Sequence, residues 1–104
     1  MVHSAVLPSP PTDDIDVVDV MHALADPTRL TIVRQLLEGG EQACGGFDVR
    51  VSASTLSHHF KVLREAGVID QREQGRHRMT SLRSTDLETR FPGLLTSVFG
   101  VVHA

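Results

Sequence analysis

The residues best equipped for chemistry are concentrated between Ser52 and Leu82, S-A-S-T-L-S-H-H-F-K-V-L-R-E-A-G-V-I-D-Q-R-E-Q-G-R-H-R-M-T-S-L. Ser54, Thr55, Ser57, His58 and His59 carry short donors and acceptors, the types that read base edges in a major groove. Lys61, Arg64, Arg72, Arg76 and Arg78 add cations suited to phosphate oxygens. Covalent chemistry has a poorer basis. A nucleophile needs a base beside it, and the one cysteine, Cys44, has no histidine bracketing it in the sequence. The expectation is binding rather than catalysis.

These side chains need a helix and a hairpin to carry them. Ser52 is placed to cap a helix by accepting an unpaired backbone N–H, and Gly67 to end it. Leu56, Phe60 and Leu63 fall at i, i+4 and i+7 and define one apolar face. The polar residues occupy the rest. Val68 to Glu73 and His77 to Leu82 then read as two short strands around Gln74-Gly75-Arg76. A helix for the groove followed by a cationic ribbon for phosphates is the pattern of a winged helix-turn-helix.

The runs Ala25-Asp26-Pro27-Thr28-Arg29-Leu30 and Ser54 to Ile69 (S-T-L-S-H-H-F-K-V-L-R-E-A-G-V-I), with the wing after them, resemble the ArsR/SmtB family of small dimeric bacterial repressors. The resemblance covers about residues 15–100. It implies a mainly α fold with a small β-hairpin wing, dimerising through its terminal helices, and a regulator that binds double-stranded DNA at a pseudo-palindromic operator. It also implies that a metal or redox signal often controls release.

Composition sets limits on partners. The 104 residues suffice for one domain, with 40% apolar and 22% charged residues typical of a globular chain. Four Phe without Tyr or Trp argue against a stacking platform for single strands. The net charge of −3 is the wrong sign for a nucleic-acid binder, but its distribution is not. Residues 50–83 hold seven cations against three acids, whereas residues 1–49 hold two against eight. The local patch governs the encounter with DNA. No apolar run reaches the length of a membrane span and no secretory signal is evident, so a cytoplasmic location without membrane attachment is expected.

Along the chain, residues 1–11 contain Pro8, Pro10 and Pro11 and read as a flexible arm, leaving 12–104 as the DNA-binding and dimerisation domain. Thr12 is the expected cap of a first helix with Val17, Val18, Met21 and Leu24 on its apolar stripe. Asp26 and Pro27 suit the start of a second helix, which buries Leu30, Val33, Leu36 and Leu37. Between 41 and 51, where the family holds its scaffold helix, Gly45-Gly46 predict something short or irregular. After the wing, Thr85 and Glu88 have capping-box spacing. Pro92 forces a kink or a fresh start, and Leu94, Leu95, Val98, Val101 and Val102 form a broad apolar surface. A homodimer seam made from this surface and from Val17 and Met21 is expected.

Ligand type limits the effector. Cys44 alone cannot build a thiolate cage. One family sensing site places Asp-x-His at the start of the last helix; Asp86-x-Glu88 keeps that spacing with a carboxylate in place of imidazole. His3, His22, Asp86, Glu88 and His103 are the available donors, and they suit Ni(II) or Zn(II). The alternatives are a DNA-binding regulator with no effector and a winged-helix module that docks on a protein co-regulator.

Overall fold

The computed structural model describes residues 5–100. Five α-helices surround a four-stranded antiparallel sheet: β1 (Ala5–Val6), α1 (Val17–Leu24), α2 (Pro27–Gly39), β2 (Gln42–Ala43), α3 (Ala53–Glu65), β3 (Ile69–Gln74), β4 (His77–Leu82), α4 (Ser84–Arg90) and α5 (Leu94–Phe99). The sheet order is β1-β3-β4-β2. The hairpin of β3 and β4 runs in register from Ile69 opposite Leu82 to Gln74 opposite His77. Gly75 makes its turn at φ 61°, positive at the first of two loop residues, where glycine is favoured.

One core joins these elements. Val20, Ala23 and Leu24 of α1, Ile32, Val33 and Leu36 of α2, and Phe60 and Leu63 of α3 are buried against Val68 and Ile69. Leu87 and Leu95 close it from α4 and α5. The apolar stripe of α1 therefore differs from expectation. Val17, Val18 and Met21 are exposed, and the face packed on α2 and α3 is that of Val20, Ala23 and Leu24. Asp16, not Thr12, caps it, its carboxylate accepting the Val18 N–H at 2.7 Å. Thr12 sits in a 3-10 turn and donates its hydroxyl to Asp86 at 2.8 Å.

The segment expected to be a flexible arm is docked where it is described. Ala5 and Val6 pair with Glu73 and Arg72, and the Leu7 N–H reaches the Gln71 carbonyl. Ser9 donates to Asp70, and the carbonyls of Pro8 and Pro10 accept from Arg64 and Arg83. Prolines forbid a helix but leave carbonyls available as acceptors, and an extended strap uses them. At its end Ile15 is buried beside Gly67. Gly67 has φ 84°, and a Cβ there would stand 2.7 Å from Ile15 Cγ1, so both the backbone and the neighbour require glycine.

No α-helix forms between α2 and α3. β2 and a 3-10 turn at Cys44–Gly46 take its place, in keeping with the glycines. Gln35 staples the loop to α2, donating to the Asp48 carbonyl at 2.9 Å and accepting the Asp48 N–H at 3.0 Å. Phe47 packs its ring on Phe60 at 5.3 Å between centroids. The capping box at Thr85 and Glu88 does not form. Helix α4 starts at Ser84, and Glu88 accepts from the Gly93 N–H instead. The last helix starts afresh after Pro92 and is only six residues long.

Candidate nucleic-acid interface

Helix α3 is built as the sequence suggests. The Ser52 hydroxyl caps it by accepting the Thr55 N–H at 3.2 Å. Phe60 and Leu63 are buried and Leu56 is half-buried, which fixes the opposite face outward. Ser54, Thr55, Ser57, His58 and Lys61 are all exposed, giving three hydroxyls, an imidazole and an ammonium on one helix. Such groups can donate to and accept from base edges in a groove about 12 Å wide.

Two residues expected on that face are elsewhere. His59 is buried. Its Nδ1 lies 3.1 Å from Arg29 Nη1, and since a guanidinium only donates, the ring nitrogen accepts. Arg29 is buried too and gives further bonds to the carbonyls of Ala23 (2.6 Å) and His22 (3.3 Å). This clamp ties the end of α1, the start of α2 and the middle of α3. The sequence pattern missed it because His58 and His59 are adjacent, and a turn of 100° decides which one faces the core. Arg64 is half-buried and bonded to Pro8 O and Gln71 Oε1, so its guanidinium is turned toward the sheet.

The wing cations separate by face. Successive residues on a strand point to opposite sides. Gln71 turns inward to Arg64 of α3, so Arg72 points outward, where it pairs with Glu41 at 2.6 Å. Arg78 lies on the α3 side, sharing a shallow hollow with Ala53, Leu56 and Ser57, and pairs with the opposite Glu73 at 3.0 Å. Arg76 is exposed at the hairpin tip. Arg78 thus adjoins the exposed polar face of α3, with Arg76 exposed at the hairpin tip, while Arg72 stands behind the sheet.

Of the expected metal donors, the three that are described, His22, Asp86 and Glu88, are not gathered. Asp86 accepts from Thr12 and, at 2.9 Å, from Arg83, and Glu88 holds the Gly93 N–H. The His22 side chain is exposed on α1, and His3 and His103 lie outside the described residues. Among the described residues no three His, Cys, Asp or Glu side chains converge. Asp86 and Glu88 are thus committed to donors within the protomer.

Two carboxylates, Asp86 and Asp26, titrate low. The Thr12 hydroxyl and then Arg83 hold Asp86 below the usual carboxylate range. The Arg29 N–H does the same for Asp26, the cap of α2. A depressed folded value adds stability above the unfolded value of about 3.9 and loses it as pH falls through the folded value. The melting temperature should therefore be insensitive to these groups from pH 7 to 5 and fall below about pH 4. Asp86→Asn should lower the melting temperature at pH 7 and flatten the acid decline, as read by circular dichroism. An acid limb unchanged in Asp86→Asn would contradict the assignment.

Comparison with known proteins agrees with this geometry. A family model described as a helix-turn-helix domain matches residues 24–72. The chain is 38% identical over 90 residues to YceK, an uncharacterized HTH-type transcriptional regulator of Bacillus subtilis (strain 168), covering 84% of this chain and 90% of that protein. It is 32% identical over 82 residues to the transcriptional repressor SdpR of the same organism, covering 77% and 90%. The crystal structure of a possible transcriptional regulator for arsenical resistance superposes with a TM-score of 0.61 at 33% identity, covering 80% of this chain and 85% of that one. No helix among the described residues is long and apolar enough to cross a membrane. With the Ala25–Leu30 and Ser54–Ile69 runs set on α2 and α3 beside a β-hairpin wing, the chain belongs to the ArsR/SmtB-type family of winged helix-turn-helix, DNA-binding transcriptional regulators.

Proposed function

We propose that this regulator reads a pseudo-palindromic operator in double-stranded DNA as a homodimer. Helix α3 enters the major groove, and the hairpin lies along the phosphates. The observation that carries the reading is the exposed face of Ser54, Thr55, Ser57, His58 and Lys61 beside Arg78, with Arg76 exposed at the hairpin tip. Dimerisation is supported by where apolar surface is left uncovered. Of the large exposed apolar residues described, Val17, Val18, Met21 and Val98 belong to α1 and α5, and only Val6 lies elsewhere. Leu95 is buried within the protomer and Leu94 is half-buried, so neither is assigned to the seam. Val101 and Val102 lie outside the described residues. Control by nickel or zinc is supported by ligand type alone.

Binding measured across a salt series tests the interface. Arg76→Ala or Arg78→Ala should weaken binding to every duplex and lower the salt slope by about one each. Thr55→Ala or His58→Ala should change which base pairs are preferred, each at a cost of about 1–3 kcal/mol in discrimination against the wrong base. Arg72→Ala should leave the slope close to that of the unaltered protein. Unchanged operator affinity in the Thr55, His58, Arg76 and Arg78 variants would remove the reading.

A further inference from the structure

Arg64 belongs to the reading helix, yet its guanidinium is spent inside the protein. Nη1 donates to Gln71 Oε1 of β3 at 2.6 Å, and Nε donates to Pro8 O of the N-terminal strap at 3.2 Å. The chain of hydrogen bonds goes on. Gln71 is 1% exposed. Its amide donates to Thr80 Oγ1 on β4 at 3.1 Å and to Cys44 Sγ in the loop before α3 at 3.3 Å. Thr80 Oγ1 and Cys44 Sγ lie 3.3 Å apart. No buried side-chain nitrogen or oxygen among the described residues is left without a partner.

We infer that Arg64 is a positioning residue for operator recognition: through Gln71, Thr80 and Cys44 it fixes the angle between the reading helix and the wing. This rests on the DNA-reading proposal above. The physical reason lies in the direction of hydrogen bonds. Apolar packing between α3 and the sheet tolerates small rotations. A fully satisfied polar network at low dielectric does not, since a rotation leaves a buried amide unpaired. Base readout needs the α3 side chains to meet base edges while the wing meets phosphates, so a fixed angle improves specific binding. Binding to any sequence can reseat on phosphates and needs the angle less.

A positioning role and a direct phosphate contact predict opposite readouts. Full-length Arg64→Met keeps the stem and removes the donors. Anisotropy titrations would use the operator duplex selected by the unaltered protein and a scrambled duplex, between 50 and 200 mM salt. Specific affinity should fall about tenfold, the loss of one charge-assisted bond, with scrambled-duplex affinity and salt slope unchanged. Arg64→Lys, which can still reach one acceptor, should recover part of the specific affinity. Thr80→Val removes a network hydroxyl that is 0% exposed, and it should reproduce the same selective loss. It carries the test if Arg64→Met fails to fold. Equal weakening on both duplexes with a slope lower by about one would make Arg64 a phosphate contact and overturn the inference, as would full specificity in a folded Thr80→Val. An unaltered protein that selects no operator at all would instead refute the DNA-reading proposal.

Discussion

Arg29→Ala is expected to cost about 3 kcal/mol of folding stability, because it strips charged donors from buried acceptors. The acceptors left behind are the carbonyls of Ala23 and His22 and the ring nitrogen of His59. At roughly 4–8 °C per kcal/mol for a domain of this size, the melting temperature should fall by about 12–24 °C. The same substitution frees the middle of α3 from α1, so the fraction that still folds should bind the operator less tightly. Arg29→Lys should recover only part of the loss, since an ammonium cannot present the planar fork that reaches three acceptors on two elements. Thermal unfolding followed at 222 nm measures both variants. A shift in Arg29→Ala of less than about 3 °C would show that the clamp is not a main tie between α1, α2 and α3.

The second large effect concerns assembly. Met21 is 59% exposed and Val98 40% exposed in the protomer, so Met21→Glu or Val98→Glu adds a carboxylate to a surface already in water. The protomer should fold with its melting temperature little changed at low concentration. Across a dimer seam the same carboxylate is buried without a partner, at a cost of several kcal/mol. The dimer dissociation constant should therefore rise by about a thousandfold, the equivalent of about 4 kcal/mol. Sedimentation at micromolar concentration should show monomers, and operator binding should drop to the affinity of a half-site. A variant that still sediments as a dimer would move the seam away from α1 and α5. An unaltered protein that sediments as a monomer would remove the dimer altogether.

The reading helix and the hairpin were legible in the sequence because local signals sufficed for them. Ser52 caps, Gly67 stops, Leu56, Phe60 and Leu63 define a face, and Gly75 turns the hairpin. What escaped was set by tertiary partners. Whether His58 or His59 faces the core depends on the approach of Arg29, 30 residues away. Whether Arg72 or Arg78 faces α3 depends on strand register, where a one-residue shift exchanges the faces. Prolines 8, 10 and 11 excluded a helix but gave no sign that their carbonyls would be taken by Arg64 and Arg83 from distant elements. The inward face of α1 is set by its packing on α2 and α3, which turns Val20, Ala23 and Leu24 to the core. The expected cap, Thr12, instead gives its hydroxyl to Asp86, 74 residues away, and Asp16 caps the helix. Leu95 looked like part of an outer surface, but α5 is short and uses Leu95 to close the protomer's own core.

In the proposed complex two copies of α3, one from each protomer, read two half-sites. Footprinting of the full-length protein on a duplex selected from a random pool tests it most directly, with the protein-to-DNA ratio read by sedimentation on the same complex. The predicted result is an inverted repeat bound by two chains, with protected major-groove segments about 10–10.5 base pairs apart, or a multiple of that, as two-fold symmetry demands. Selection that returns no preferred sequence, or protection of one segment by one chain, would contradict it.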